Sequence, residues 1–422
     1  MACFVFAVLI FSGLIKIGDS SKTSNLEGKI TIWGTLDKSK ASAVINFING
    51  GNNKLSVSYV EHSELTYEQS LIESFAKNTG PDLFFITPSM IQKYESFIYK
   101  IPYANFPEKT FRTTYIDGAD VYLSPTGALA YPIMVDPIVM YYNKDIFLNK
   151  GIVSAPKYWN ELFDLSSQLI EKKNDGTILS SMIALGRYDN VNNAKDILAS
   201  LLIQNNNYIV ERSGDKYFST LNKNPMNLPS SPIESVLSFF IEFSSPSNTA
   251  YSWNRALPNS LDMFTSGKMA IYLGRASELF RIESINPNLS FDVAEILQTK
   301  GTNIRRTYGD IYALAVNRGA KNLTSAFGFA AIASQDENAK EFSTVFSLPP
   351  VLRSLLSNKP VDNPYLHTFF DSAIISRSWP DPDEVKSDAI LKELIDNILS
   401  NKLSLTASIS KANGQLEQIL GK

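Results

Sequence analysis

Short apolar runs alternate with amphipathic segments through the first 90 residues of the chain. Residues 29–33, 55–60 and 82–86 are apolar or β-branched runs of strand length. The segments between them place apolar side chains at helical spacing and end at glycine-containing turns. This alternation predicts a parallel sheet with helices on its faces.

A second apolar stretch, residues 131–147, reads YPIMVDPIVMYYNKDIF and carries one acid in its middle. A carboxylate in a buried strand is costly unless it is paired or hydrogen-bonded, so Asp136 needs a structural or functional reason. Pro137 withholds an amide from the sheet, which suits a point where the chain leaves one sheet for another. The pattern predicts a crossing between two sheets with an acid at the crossing.

Downstream of this stretch, strand and helix patterns recur to the C-terminus. The predicted helices are residues 156–171, 194–204, 233–243 and 325–333, followed by two C-terminal helices, and the predicted strands are residues 269–273, 291–297 and 308–316. This second series continues the α/β pattern over the rest of the chain.

Polar and aromatic side chains at the carboxyl ends of parallel strands are placed to meet a ligand. Trp33, Thr35 and Asp37 follow the first predicted strand, and Ser89 follows the third. We therefore expect these four residues in a binding site.

Two later tryptophans stand in loops where no predicted core requires them. Trp253 lies in a polar loop, and Trp379 precedes the rigid segment Pro-Asp-Pro-Asp. Exposed aromatic rings cover apolar ligand faces well, so we expect both at the rim of a ligand cleft.

Composition narrows the range of functions. Lysine and arginine total 39 against 42 acidic residues, for a net charge of −3, so there is no basic footprint for nucleic acid. The single cysteine, Cys3, and the two histidines, His62 and His367, are too few and too scattered for a Cys/His metal site. We expect neither a metal nor an organic cofactor.

The N-terminal residues 2–17 form the most apolar run of the chain, followed by a polar segment at residues 18–28. A signal peptide has such an apolar core but carries a preceding Lys or Arg, and none is present here. The run is also shorter than the roughly 20 residues that a spanning helix needs. We favour export or membrane anchoring over a buried helix for residues 1–27.

The stretch at residues 131–147 closely resembles the hinge segment of the periplasmic sugar-binding proteins of ABC importers. These are the maltose-binding-protein-like members of extracellular solute-binding protein family 1, in which a YPI-x-V-acid strand continues into YNKD. Further similarities are ITIWG at residue 30, GPDLFFI at residue 80, the P-x-x-W-x-E-L helix at residue 156 and MFTSGKMAIYL at residue 263. Together they cover nearly the whole chain after residue 28.

The resemblance implies an α/β, two-lobed periplasmic-binding-protein fold of type II. In that fold two discontinuous lobes are joined by a hinge, and the ligand cleft lies between them. We expect residues 28–135 and 297–348 in the first lobe, and residues 136–296 and 349–422 in the second.

The resemblance also implies further ligand-binding residues. Asp136 and Tyr142 occupy ligand-binding positions of the hinge strand. Arg275 and Ser277 follow the strand at residues 269–273, whose final turn faces the ligand in this family. Tyr308, Gly309 and Asp310 begin the return strand and should look into the cleft.

The implied function is a non-enzymatic receptor, outside the cytoplasm, that captures a mono- or oligosaccharide and delivers it to a membrane ABC permease. We expect a monomer. Peptides and polyols stay open as ligands, since the wider family binds them too. A glycan-cleaving enzyme using two of Asp136, Asp310, Asp381 and Asp383 is the alternative from another class. An anchored adhesin that has kept the fold and lost transport is the third.

Overall fold

The computed structural model describes residues 23–224, 229–360 and 363–421. The apolar run at residues 2–17, predicted to direct export or anchor the chain, lies outside the described residues. Among the residues that are described, none of the helices combines the length and the apolar character needed to cross a membrane.

The strands are numbered in chain order. They are β1 Gly28–Gly34, β2 Leu55–Glu61, β3 Leu83–Ile86, β4 Ile101–Pro102, β5 Leu123–Ser124, β6 Gly127–Ala128, β7 Tyr131–Asn143, β8 Glu171–Lys172, β9 Ile178–Ile183, β10 Val210–Ser213, β11 Lys216–Ser219, β12 Met269–Arg275, β13 Phe291–Glu295, β14 Thr307–Val316 and β15 Ser376–Arg377.

The α-helices are numbered in the same way, and the 3₁₀ turns are named by their residues. The helices are α1 Lys38–Asn49, α2 Glu64–Ala76, α3 Ile91–Tyr94, α4 Glu108–Thr114, α5 Lys144–Asn149, α6 Glu161–Leu169, α7 Ala194–Gln204, α8 Pro232–Glu242, α9 Ser260–Thr265, α10 Leu279–Ile285, α11 Leu323–Ala333, α12 Asp336–Phe346, α13 Arg353–Leu356, α14 Pro364–Ile374, α15 Glu384–Leu399 and α16 Leu405–Leu420; the 3₁₀ turns are Pro88–Met90, Glu95–Phe97, Asp117–Tyr122 and Ala276–Glu278.

The chain forms two compact units, and each is assembled from separate stretches of sequence. Unit 1 contains the described residues up to Val135 together with Ile311–Asn358. Unit 2 contains Asp136–Asp310 and the described residues from Lys359 onward. Strands β7 and β14 each give their first residues to one unit and their last residues to the other.

Unit 1 is built on the parallel sheet that the alternating pattern predicts. Strand β1 pairs in parallel with β2 on one side and with β3 on the other. The last residues of β14 add an antiparallel strand beside β3, with Ala313 opposite Ile86. All four residues of β3 are buried, as expected for a continuous apolar strand covered on both faces.

Unit 2 has a mixed sheet around the second half of β7. Strands β12 and β13 both pair antiparallel with β7, β9 runs parallel to β12, and β8 closes the edge beside β9. Strand β15 pairs in parallel with the first residues of β14. Antiparallel strands on both sides of β7 explain why the simple strand–helix alternation of unit 1 does not continue here.

Two boundaries lie later in the chain than the sequence suggests. We expected the return crossings after Ile296 and Leu348, whereas the units divide after Asp310 and after Asn358. Strand β13 stays in unit 2 because it pairs with β7, from Phe291 opposite Asn143 to Glu295 opposite Val139.

The last crossing is also displaced by backbone hydrogen bonds. The Val135 amide donates to the Pro349 carbonyl (3.0 Å), and the Ile116 amide donates to the Val351 carbonyl (2.9 Å). These bonds tie residues 349–351 to unit 1, although the Pro-Pro pair there resembles a domain boundary.

One predicted helix is shorter than its apolar pattern. We expected a helix over residues 156–171, and α6 spans only Glu161–Leu169. A Glu161 carboxylate oxygen accepts the Lys157 amide (2.7 Å), which holds the preceding residues in a turn rather than in a first helical turn.

Candidate functional site

A concentrated group of charged side chains lies in unit 2, around Arg275 at the end of β12. The Arg275 guanidinium donates from Nε to Asp196 Oδ2 (2.8 Å), and its Nη2 lies 2.7 Å from the same oxygen. Its Nη1 donates to Asp310 Oδ2 (2.7 Å). Two aspartates from different elements therefore fix the planar guanidinium in one orientation. We call this group, with the residues described next, the carboxylate cluster.

Asp136 lies in the same cluster and is held by one residue. The Ser277 amide donates to its Oδ1 (2.9 Å), and the Ser277 hydroxyl donates to its Oδ2 (2.6 Å). The β7–β12 pairing, in which Ile138 faces Arg275, extends to place Ser277 opposite Asp136. The acid that the sequence picked out inside the apolar strand is thus paired, and it is only 1% exposed.

Asp310 links the cluster to β14. Its Oδ1 accepts from the Tyr308 hydroxyl (2.8 Å), while its Oδ2 accepts from Arg275. The Tyr308 amide donates to the Ser200 hydroxyl on α7 (3.0 Å), which fixes the start of β14 against that helix. Tyr308 and Asp310 were both expected in the site, and the structure brings them together.

A second ion pair adjoins the first turn of α7. Lys195 Nζ lies 2.9 Å from Asp381 Oδ2, and the Ser387 hydroxyl donates to the same oxygen (2.7 Å). The Ser378 hydroxyl donates to the Gly309 carbonyl, so the segment before α15 is bound to the start of β14. Successive residues of one helical turn, Lys195 and Asp196, therefore anchor two different parts of the cluster.

Burial changes the acidity of this group. Loss of water raises the pKa of Asp136 to about 6, although Arg275 and the Ser277 hydrogen bonds act in the opposite direction. Burial also raises the pKa of Asp196, against the lowering influence of Arg275. Asp310 contributes to both increases, since a nearby carboxylate disfavours a second negative charge.

A neighbouring half-buried acid supports the turn that carries Ser277. Glu278 accepts the Tyr272 hydroxyl at Oε2 (2.5 Å) and the Asn193 side-chain amide at Oε1 (3.0 Å). A side chain at Gly274 would lie 2.6 Å from this carboxylate, so glycine leaves it the space it needs. Burial raises the pKa of Glu278.

Unit 1 carries a smaller polar and aromatic group at the carboxyl edge of its parallel sheet. The Trp33 ring lies 4.4 Å from the His62 ring, and the Tyr67 hydroxyl lies within hydrogen-bond distance of the Trp33 carbonyl (3.0 Å). At the end of β3, the hydroxyls of Thr87 and Ser89 are 3.0 Å apart. Half-buried Thr35 follows Trp33 at the same edge.

Three expected site residues are placed differently. Trp253 is fully buried, and its indole N–H donates to Asn190 Oδ1 (3.0 Å), so it lies in the core of unit 2 rather than in an open loop. Asp37 accepts the Lys40 amide (2.8 Å) and serves as the N-cap of α1. Tyr142 is six residues beyond Asp136 along β7, roughly 20 Å away at strand spacing, and its hydroxyl donates to Asp292 (3.3 Å).

Trp379 lies in the segment that touches the carboxylate cluster, but its own side chain is only 1% exposed. Its carbonyl accepts the Asp381 amide (2.9 Å), which closes a tight turn around Pro380. We expected the ring to cover a ligand face, and the structure buries it instead.

The charged residues Lys195, Asp196 and Glu278 and the His62 ring were not among the site residues expected from the sequence. An acid in the first turn of a helix is ordinary, so Asp196 carried no signal of its own. His62 did carry one, because it directly follows β2, just as Trp33 stands at the end of β1. Burial lowers the pKa of His62, and its Nε2 has no hydrogen-bond partner among the described residues.

Comparison with known proteins places the chain in a family. The profile of the bacterial extracellular solute-binding proteins matches residues 46–368, which is more than half of the 422-residue chain. The chain belongs to this family. The match confirms the resemblance carried by the hinge segment. No curated protein matches the chain.

Solved structures of solute-binding proteins share the fold. The cyclic α-maltosyl-1,6-maltose binding protein of Arthrobacter globiformis matches with a TM-score of 0.76 at 14% identity, over 94% of this chain and 99% of that one. The sugar-binding protein MalE of Xanthomonas citri matches with a TM-score of 0.73 at 15% identity, over 93% of this chain and 98% of that one. The GacH receptor of Streptomyces glaucescens was solved unliganded and with acarbose. It matches with a TM-score of 0.70 at 17% identity, over 94% of this chain and 99% of that one. The chain therefore has the two-lobed α/β fold expected from the sequence.

Proposed function

We propose that this solute-binding protein captures a saccharide outside the cytoplasm and delivers it to a membrane ABC importer. Membership of the extracellular solute-binding family supports the location and the binding role. The three structural relatives described above bind or were solved with maltosyl sugars or acarbose, or are named as sugar-binding. These relatives make a saccharide our first choice over a peptide or a polyol.

The observation that carries the proposal is the geometry around Arg275. Sugar hydroxyls both donate and accept, so a site for them needs fixed carboxylates and a fixed guanidinium side by side. The Arg275 side chain is 22% exposed and that of Asp310 is 12% exposed, while Asp196 behind them is 4% exposed. The two front groups thus present hydrogen-bonding edges from a rigid, nearly dry support.

The carboxyl edge of the unit 1 sheet carries side chains suited to the apolar faces of a sugar. Trp33 is half-buried, and its position against the His62 ring limits the rotation of the indole. An aromatic ring held in this way is suited to the C–H faces of a pyranose. Ser89 and Thr35 add hydroxyls at the same edge of the sheet.

We also propose that the protein leaves its ligand chemically unchanged. In the cluster each carboxylate is engaged by Ser277, Arg275 or Lys195, which suits a supporting role more than proton transfer to a glycosidic oxygen. Asp381, one of the acids considered for catalysis, binds Lys195 and Ser387. The expected state in solution is a monomer that docks on a permease.

A binding screen tests the function. Thermal unfolding of a purified protein of residues 23–421 is measured in the presence of mono- and oligosaccharides, amino acids, peptides and polyols. Each compound that raises the melting temperature is then titrated calorimetrically. A ligand present at 100 times its dissociation constant stabilises the fold by about 2.7 kcal/mol, which a melting curve resolves. We expect saccharide hits, recovered intact by chromatography after incubation. Hits confined to peptides, or cleavage of the saccharide, would overturn the proposal.

A further inference from the structure

The carboxylate cluster of unit 2 contains more negative than positive groups. Three neighbouring hydrogen-bonded groups hold the four carboxylates of Asp136, Asp196, Asp310 and Asp381. Within the part of the chain that the structure describes, only two cations, Arg275 and Lys195, are bonded to them. Asp136 has hydrogen bonds from Ser277 but no cation in direct contact among the described residues.

Further charged side chains of both signs lie around the cluster, among them Arg377 of β15, which pairs with Tyr308. Glu384, at the start of α15, and half-buried Glu278 add two more acids that act on the same groups. Arg281 is a further cation near Glu278, and it is exposed to solvent. Lys386 pairs with Asp383, outside the cluster.

An excess of buried negative charge has to be offset from outside the protein or by protonation, because the interior solvates ions poorly. The raised pKa values of Asp136 and Asp196 show that the cluster already resists further negative charge. A bound neutral sugar adds hydroxyl donors to the free lone pairs of these carboxylates, and an ammonium group adds a compensating charge. A ligand carboxylate or sulfate would do neither.

We propose that the carboxylate cluster sets the charge class of the solute, admitting neutral and amine-bearing saccharides and excluding acidic ones such as uronates. The inference rests on the proposed saccharide-binding function. Repulsion between one ligand carboxylate and the uncompensated charge, at about 7 Å and an effective dielectric constant near 20, weakens binding roughly 10- to 50-fold.

The test compares three matched panels of mono- to tetrasaccharides at pH 7.5: neutral glucosides, their glucosamine counterparts and their glucuronate counterparts, each with α-1,4 and β-1,4 linkages. Binding is measured by titration calorimetry on the wild-type protein. We expect hits in the neutral or glucosamine panels, and at least tenfold weaker binding of each matching glucuronate. A glucuronate that binds as tightly as its neutral counterpart overturns the inference while leaving saccharide binding intact. Absence of binding by all three panels and by every saccharide of the wider screen overturns both this inference and the saccharide-binding function on which it rests.

Charge-removing variants identify the source of the exclusion. Asp310→Asn removes one of the two carboxylates that bind Arg275 and leaves the hydrogen bond between Arg275 and Asp196 in place. Glu384→Gln removes a charge from an exposed side chain, so it guards against a folding defect in the first variant. The matched control is Asp164→Asn, the same change at an exposed position on α6. We expect Asp310→Asn and Glu384→Gln to reduce severalfold the ratio of the affinity for the neutral saccharide to that for its glucuronate. The control variant should leave this affinity ratio unchanged. Equal ratios in all three would show that the cluster does not set the charge class.

Discussion

Asp136 is a single acid inside an apolar strand, and it accepts hydrogen bonds from the amide and the hydroxyl of Ser277. The residues around Asp136 show that it needs a partner, because an unpaired buried carboxylate is too costly. They do not show which partner, since Ser277 lies 141 positions away and becomes its neighbour only through the register of β7 with β12. The neighbouring residues in the sequence therefore indicate that Asp136 needs a partner, but only the tertiary fold determines that the partner is Ser277.

The titration of Asp136 gives a prediction with a definite sign. Its folded pKa of about 6 is above the unfolded value near 3.8, so folding favours the protonated form. That contribution to stability is fully present below the unfolded pKa and is lost as the pH rises through the folded pKa. The Asp136→Asn side chain cannot ionise, and it keeps a carbonyl oxygen for the Ser277 amide. We therefore expect Asp136→Asn to gain about 2 kcal/mol of unfolding free energy relative to wild type between pH 4.5 and pH 7.5.

Urea unfolding of both proteins at the two pH values measures this difference. The exposed Asp164→Asn variant serves as the control and should track wild type at both. A difference between Asp136→Asn and wild type that stays constant with pH would show that Asp136 is ionised throughout.

The tryptophans show where single-residue reasoning fails. Trp253 stands among polar neighbours, which suggests exposure, but the fold supplies Asn190 as an acceptor for its indole N–H. Trp379 is likewise buried after a loop of ordinary composition. An aromatic residue in a loop is exposed only if nothing else packs over it, and local sequence contains no information about that.

At the scale of elements, helix α7 positions two charged residues of the carboxylate cluster, Lys195 and Asp196. Its bounds, Ala194–Gln204, are those that the apolar spacing predicts, because ILASLLI leaves little choice. Ten of its eleven residues are buried, so the helix lacks a wide solvent-facing side. A charged residue on such a helix has to be paired, which is why Asp196 meets Arg275. The sequence identifies the helix, but the burial on all sides that decides the role of Asp196 comes from tertiary packing.

The pair between Lys195 of α7 and Asp381 before α15 can be tested as a unit. Their side chains are 12% and 5% exposed, so either charge alone is poorly solvated. We expect Lys195→Met to destabilise the protein by about 3–5 kcal/mol, because Asp381 is left without its cation. The double variant Lys195→Met/Asp381→Asn should recover at least about 1.5 kcal/mol of that loss.

Denaturant unfolding of wild type, the two single variants and the double variant provides the cycle. Lys411→Met, which removes the exposed partner of Glu393, is a suitable control and should change stability by less than about 1 kcal/mol. If the double variant is as unstable as the sum of the singles, the two side chains are not coupled and the link between α7 and the α15 loop is made by other contacts.

For the whole molecule, the order of segments along the chain matters more than any one of them. The units change between Val135 and Asp136, where the sequence has an acid and a proline inside an apolar strand. The other changes fall after Asp310, inside an apolar strand, and after Asn358, in a polar stretch with Pro360 and Pro364. The change after Asp310 depends on strand pairing, because β13 pairs with β7 in unit 2 while the last residues of β14 pair with β3 in unit 1.

Unit 1 makes a prediction about folding, because its two stretches of chain depend on each other. One edge of β3 pairs with β1, and the other pairs with β14 from Ala313 to Val316. At the start of the unit, the Glu27 carbonyl accepts from both Asn322 (2.7 Å) and Ser325 (2.8 Å). Residues 23–135 alone would therefore expose one edge of the completely apolar β3 and the face that α11 covers.

We expect a chain of residues 23–135 to show no cooperative thermal transition. A single chain in which residues 23–135 are joined through a flexible Gly/Ser linker to residues 311–358 should melt cooperatively, because the missing strand and helices α11 and α12 restore burial. Circular dichroism melts, with dye binding as a measure of exposed apolar surface, distinguish the two. A linked chain in which Gly328 is replaced by leucine is the control for packing, since a Cβ there would lie 2.5 Å from the Leu26 side chain. It should melt at a lower temperature than the linked parent. A cooperative melt of residues 23–135 alone, at the midpoint of the linked chain, would show that the second stretch adds nothing to the fold of unit 1.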